Sequence, residues 1–437
     1  MSAPSRAREV WAMALIGLTS FLLFADQNLM GPNLTQIATE FGLSAVERDQ
    51  KLGGHVSLGF WIVGGLMSLS VGYLTDRVNR RNLFVFNLLL GEIPCLLTGF
   101  ARNYEELLLL RTLTGIGIGG AIPLLYSLIG DLFEAGQRAR ATAIIGFAMG
   151  AGIAVGQLLA GFVGPEHGWR LPFILVATPN FVLAFVFLFT VDEPVRGSRE
   201  AALQGVVAEH GGGRVSWEDY KQVFRVPTRA LVFLQGIPGT VPWGVFFTFL
   251  VDYYAQDKGY SVPTATLLVT GIGGAAILGG LLGGLIGNRL YNKNPAWLPL
   301  WCGATTLLGI VPTAALLAFP AHTGGGEPNI TTPLVLGVLT GLTVAVTGSN
   351  VKAILLNVTE PETRGAVFSL YNLADDLGRG LGPFIIGFLV AWFGRDLAFQ
   401  IATSFWLFCG VILLFMARTF PRDEAALQAR LAARVAG

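Results

Sequence analysis

Charge is what this chain has least of. Only 13% of its 437 residues are Asp, Glu, Lys or Arg, against 53% hydrophobic, where soluble domains carry about 25% charge. A soluble globular protein is therefore excluded. Formal net charge is +1, so no long-range field recruits an acidic or basic partner, and no nucleic-acid partner is expected. The three cysteines, Cys95, Cys302 and Cys409, all fall inside apolar stretches and make no disulfide framework. His55, His167, His210 and His322 are scattered. They give no metal set, and no cofactor is expected. No nucleophile–base pair stands out either, which argues against an enzyme. The run Gly115-Ile116-Gly117-Ile118-Gly119-Gly120 lies within an apolar span, not after a strand, so it cannot cradle a nucleotide phosphate. A glycine-poor chain is also excluded: 57 glycines suit helices that touch closely in lipid.

What remains is length and apolar runs. A membrane-crossing helix needs about 20 apolar residues, and twelve such stretches fit, near 10–31, 53–75, 82–101, 104–130, 141–163, 170–191, 230–255, 263–287, 296–319, 331–356, 365–393 and 397–417. The fold class expected is an all-α polytopic membrane protein of twelve transmembrane helices in two pseudo-symmetric six-helix halves. Residues 1–191 form the first bundle and 229–437 the second with a short tail. The first stretch is too long for a signal-peptide core and lacks a small-residue cleavage site, so a retained helix is expected. Basic residues concentrate in alternate connections, which places both termini in the cytoplasm of a cell (inner) membrane.

Two stretches say the same thing twice. Gly72-Tyr73-Leu74-Thr75-Asp76-Arg77-Val78-Asn79-Arg80-Arg81 and Gly284-Leu285-Ile286-Gly287-Asn288-Arg289-Leu290-Tyr291-Asn292-Lys293 each end an apolar span in a basic elbow. A second register repeats at a spacing of 226: Glu134 and Glu360, Arg138 and Arg364, Gly152 and Gly378, Gly156 and Gly382, Gly161 and Gly387, Phe173 and Phe399. Asp252 stands at the same spacing from Asp26, as a possible repeat mate. The polar link 192–228 carries Trp217, Tyr220, Val223 and Phe224 on one face, as an interfacial helix would. The charged stretch 423–434 reads as a short solvated helix.

The first elbow resembles the signature of the major facilitator superfamily, as do Arg111, Gly115, Gly117 and Pro123 in the fourth stretch, followed by Glu134 and Arg138. Asn79 stands where that signature has glycine, and asparagine also enters the left-handed region. Within the superfamily the chain is most similar to spinster-related lipid transporters, through Asp26, Arg111 and the Asp131-Leu132-Phe133…Arg138 loop. It departs from them at Gln27 and Ile118. The resemblance implies alternating access, a lysophospholipid- or sphingolipid-like cargo or another organic anion, and a monomer. Export of hydrophobic drugs and ligand binding without transport are the alternatives.

Ionisable groups at membrane depth are costly and mark pathways or partners. Asp26 and Arg111 fall at matching depth, either as a proton-coupling pair or as a static brace. Glu92 lies in mid-span beside Pro94 with no evident partner. Asp376 and Arg379 share a helical face, leaving Asp375 free to meet Lys352. Trp243, Phe246, Phe247 and Tyr253 follow Pro238 and Pro242 in a seventh stretch expected to be interrupted, and would wall a cavity for an amphipathic cargo. Asp76, Arg77, Arg80, Arg81, Arg138, Asn288 and Arg289 form the expected cytoplasmic gate. The glycines of the fifth and eleventh stretches are expected to bring the halves together.

Overall fold

The computed structural model describes residues 6–75, 77–133, 135–193, 224–321, 328–360 and 363–436. Asp76, Glu134 and the face Trp217, Tyr220 and Val223 of the link lie outside them. The chain divides into two compact units, Met1–Arg214 and Val215–Gly437. Among the described residues there is no strand.

Among the described residues eleven helices are long and apolar enough to cross a membrane: Val10–Glu40, Ala45–Leu74, Arg80–Thr98, Tyr104–Ile129, Arg140–His167 and Arg170–Thr190, then Pro227–Gln256, Val262–Lys293, Trp297–Leu317, Thr331–Asn357 and Val367–Met416. The last is two spans. Gly394 breaks it at φ 74°, ψ 168°, a left-handed conformation open to glycine. Twelve spans result, 367–393 and 395–416 being the eleventh and twelfth.

Three local expectations change. The first span does not end near residue 31. It passes through two short 3-10 turns, Asp26–Asn28 and Gly31–Asn33, and resumes as helix to Glu40. Pro32 has no N–H to continue the ladder and its ring crowds the preceding turn, so the break falls there and not in the seventh span. That span is one continuous helix, Pro227–Gln256, despite Pro238 and Pro242. Side chains reach its backbone around the prolines: Thr240 Oγ1 lies 2.9 Å from the Gly236 carbonyl, and the Trp406 indole donates to the Gly239 carbonyl at 3.0 Å. Asn79, finally, has φ −63°, ψ 116° and accepts a hydrogen bond from the Asn82 amide. It is an extended helix N-cap, not a left-handed turn residue.

The glycine faces work inside each unit. A Cβ on Gly152 or Gly156 would strike the Phe21 and Ala25 carbonyls of the first span, and one on Gly378 or Gly382 the Ile237 and Val241 carbonyls of the seventh. These contacts fix a structural register. Gly152 and Gly378 differ by 226, while Phe21 and Ile237, like Ala25 and Val241, differ by 216. Likewise Gly115 meets the Phe60 carbonyl and Gly341 the Ile272 carbonyl, so the fourth and tenth spans differ by 226 (341 minus 115). By this register the counterpart of Asp26 is Pro242, not Asp252, and that of Arg111 is Gly337.

Candidate functional site

The break in the first span positions a buried charge pair of unit 1. Asp26 opens the first 3-10 turn and is fully buried, at 0% exposure; Arg111, two turns into the fourth span, is 2% exposed. Arg111 Nη1 donates to Asp26 Oδ1 at 2.5 Å and Nη2 to the Asp26 backbone carbonyl at 3.2 Å. The guanidinium thus binds the carboxylate and also takes up a carbonyl at the helix break. Phe60 and Phe173 flank it, their ring centroids 5.0 and 5.3 Å from the guanidinium carbon, an arrangement that desolvates the cation while attracting it to the ring faces. The adjoining turn is held by Asn28, which donates to Gln157 at 3.2 Å, and Asn33, which donates to the Ala160 carbonyl at 2.9 Å.

Glu92 is drawn to the same place. It is 0% exposed, and one oxygen accepts from Asn180 Nδ2 of the sixth span at 2.5 Å, the same amide also reaching the Thr19 carbonyl at 3.2 Å. Asp26 and Arg111 are its charged neighbours. Nothing in the sequence pattern singled out Asn180, since an amide in an apolar run carries no periodic signal.

In unit 2 the cluster expected from sequence is assembled on the tenth and eleventh spans. Lys352, Arg379 and Tyr371 surround the Asp375 carboxyl, and Arg379 also lies near Asp376. Lys352 is exposed, and both acids are half-buried. The Asp375 carbonyl accepts from Thr240 at 2.8 Å, which ties this cluster to the seventh span. Of the aromatic residues, Trp243 and Phe247 stack at 5.7 Å and are half-buried, and Trp406 packs edge-on against Trp243 and Phe246 at 5.9 and 5.7 Å. Tyr253 is not wall but interior. It is 0% exposed and donates to the Leu317 carbonyl at 2.9 Å.

A further ionic cluster escaped the sequence reading. Arg395, just past the Gly394 break, grips Asp252 at 2.7 Å and Asp257 at 2.8 Å, and Lys258 holds Asp396 at 3.0 Å. Arg395 and Asp396 read as loop residues, so their pairing with the end of the seventh span carried no signal beyond charge.

The elbows differ. In the first, the Glu193 carboxylate accepts from the Arg80 and Arg81 amides at 3.0 and 2.8 Å, an anion at a helix N-terminus. Arg80 is 4% exposed and reaches Ser127 at 3.3 Å; Arg81 reaches the Val191 carbonyl at 3.4 Å. Arg77 stacks over Tyr73 at 3.9 Å, and Arg138 donates to the Phe133 carbonyl at 3.1 Å. In the second elbow Asn288 and Arg289 are exposed. The C-terminal helix Phe420–Ala436 takes over there, and it is docked, not solvated. Phe420 and Leu427 are buried, Asp423 accepts from the Thr228 amide at 2.8 Å, and Glu424 accepts from Asn357 at 2.9 Å and from Tyr291.

A groove of about 580 Å³ in unit 1, lined by His55, Leu58, Ile62, Tyr104, Leu108 and Thr112 among others, contains none of the expected site residues. Among the described residues no group of three His, Cys, Asp or Glu could hold a metal ion.

The sequence profile of the Major Facilitator Superfamily matches residues 16–326 and 302–435. A cis,cis-muconate transport protein of Acinetobacter baylyi is 24% identical over 92% of this chain and 94% of its own length. An MFS-type efflux pump of Mycolicibacterium smegmatis is 26% identical over 92% and 91%, and a D-galactonate transporter of Escherichia coli 24% over 90% and 91%. Among solved structures, a bacterial homologue of the human lysosomal transporter Spinster, inward-facing and unoccupied, superposes with a TM-score of 0.83 at 19% identity, over 96% of this chain and 99% of that one. A D-xylose-proton symporter gives 0.72 at 18% identity over 92% and 97%. At these identities the two structures speak to fold alone.

Proposed function

The chain belongs to the Major Facilitator Superfamily, and from that premise we propose a proton-driven carrier of small carboxylate-bearing organic molecules, working by alternating access as a monomer. The observation that carries this reading is the sealed Asp26–Arg111 pair at the break of the first span. Two charges removed from water are tolerated only together. Admitting water to one side lowers the cost of separating them, and an anionic cargo at the guanidinium would compete with the carboxylate. Either event changes how readily the buried acids around that guanidinium share a proton, which is what coupling requires. Lys352 and Arg379 in unit 2 supply a second cationic surface for the cargo, with Trp243 and Phe247 as apolar wall; Phe246, expected there too, is buried against Trp406. Relatives named for muconate and galactonate transport, both carboxylates, agree with an anionic cargo.

By charge asymmetry the basic elbows and both termini face the cytoplasm of a cell membrane. Export of apolar compounds is the second reading, favoured by the efflux-pump relative; it needs no cation, whereas Arg111 in unit 1 and Lys352 and Arg379 in unit 2 favour an anionic cargo. Proteoliposomes loaded with an imposed pH gradient and offered cis,cis-muconate and D-galactonate test the proposal. Uphill uptake of a carboxylate, collapsed by a protonophore, is expected. Uptake indifferent to the gradient would overturn proton coupling, and export of apolar dyes alone would favour the second reading.

A further inference from the structure

Unit 1 encloses more negative charge than its cation can balance. Asp26 and Glu92 face one guanidinium, that of Arg111, and both acids are fully buried. The accounting of oxygens is more telling than the charge. Asp26 Oδ1 and Glu92 Oε1 are taken by Arg111 and Asn180. Asp26 Oδ2, Glu92 Oε2, Asn180 Oδ1 and the donor Arg111 Nε are buried with no hydrogen-bond partner. Buried polar atoms are nearly always satisfied, so three orphaned oxygens in one cluster mark the place of something that binds there. The remaining titratable neighbour is Cys95, on the same helix face as Glu92 and beside Asp26 and Arg111.

From this geometry we infer that Glu92 carries the exchangeable proton of the transporter, placed by Asn180 and shared in reach with Asp26, so that the sealed cluster is neutral with one proton bound. A proton needs one free oxygen, and Oε2 supplies it. A bare metal cation would need five or six, and Asn180 Nδ2 and Arg111 already occupy half of the carboxylate oxygens. Arg111 holds Asp26 through its carboxylate and its backbone carbonyl. On this inference Asn180 is a positioning residue: its amide donates to Glu92 Oε1 and leaves Oε2 as the protonation site. The step is a simple transfer. The Glu92 O–H bond breaks heterolytically when water reaches the cluster, the electron pair stays on Oε2, and the proton leaves to water on the open side. The role in coupling rests on the proton-driven reading above, whereas the protonation of Glu92 does not.

Infrared spectra of the full-length protein in lipid nanodiscs separate the two. A protonated buried carboxyl gives a carbonyl band resolved from ionised carboxylates. The expected result is such a band at neutral pH, lost in Glu92→Gln, displaced in Asn180→Leu and unchanged in the exposed Glu105→Gln. A band untouched by Glu92→Gln, absence of any acid band in the wild type down to pH 5, or its removal by added sodium chloride would overturn the inference, the last by making the occupant a metal cation. Glu92→Gln keeps the shape and the Asn180 contact of the protonated acid, so folding is preserved and a matching melting temperature verifies it. In proteoliposomes offered cis,cis-muconate or D-galactonate, Glu92→Gln should lose gradient-driven accumulation while retaining exchange. Should the wild type carry neither probe uphill, the proton-driven reading falls, and the infrared result still decides Glu92.

Discussion

The two units lay out the same six helices and spend their charges differently. Where unit 1 sets Asp26 against Arg111, the packing register of unit 2 has Pro242 and Gly337 as the counterpart positions. Unit 1 has a broken span and a sealed ion pair there. Unit 2 has a continuous, proline-bearing span and no charge. Its own buried pair, Arg395 with Asp252, sits about ten residues further along the seventh span, where a third partner, Asp257, is 37% exposed. A duplicated scaffold has thus kept its glycine contacts and redistributed its ionisable groups. The glycine contacts are constrained by backbone touching backbone, where no side chain fits. A charge needs only a partner within reach, from whichever helix offers one. The proposal above, with the proton and one cargo-binding cation in unit 1 and a second cationic surface in unit 2, follows this asymmetry.

The largest effect that would break the comparison is Arg111→Ala. It strands a fully buried carboxylate, which costs about 3–5 kcal/mol, and uptake should be lost. The double variant Asp26→Asn, Arg111→Gln should recover most of the melting temperature but not the transport. Equal stability of Arg111→Ala and wild type would mean that water already reaches the pair. Arg395→Gln comes next, at about 3 kcal/mol, softened because Asp257 can turn to solvent; here the thermal shift should be accompanied by residual transport.

The sequence carried the units, the spans and the Asp26–Arg111 pairing, because depth along two helices is a matter of counting residues. It carried Glu92 only as a lone acid, since Asn180 approaches from a helix 88 residues away and leaves no pattern. Asp252 matched Asp26 at a spacing borrowed from the fifth and eleventh spans. The first and seventh spans follow a register ten residues shorter, which only the glycine contacts reveal. Prolines suggested a broken seventh span, yet the helix continues through both, with Thr240 and Trp406 hydrogen-bonded to the Gly236 and Gly239 carbonyls beside them. The C-terminal stretch looked solvated because its charges were counted, while Phe420 and Leu427 decide its docking.

That register can be sharpened by matched substitutions. Gly156→Val and Gly382→Val should each cost about 1–3 kcal/mol by overpacking, at facing carbonyls of Ala25 and Val241. Similar losses in melting temperature support equivalence of the two contacts, and an indifferent Gly382→Val would undo it. Gly394→Ala should cost about 1–3 kcal/mol from backbone strain alone, since φ 74°, ψ 168° is open essentially to glycine, while a Cβ there meets no atom within 4 Å.

Gly394 also bears on how the chain is made. It joins the eleventh and twelfth spans with no intervening loop, so neither can cross the bilayer while its neighbour waits outside. During synthesis the pair must enter lipid together as a hairpin, with the Arg395 side chain drawn toward Asp252 as the turn arrives. A tag or protease site placed at this turn would divide one unit of insertion.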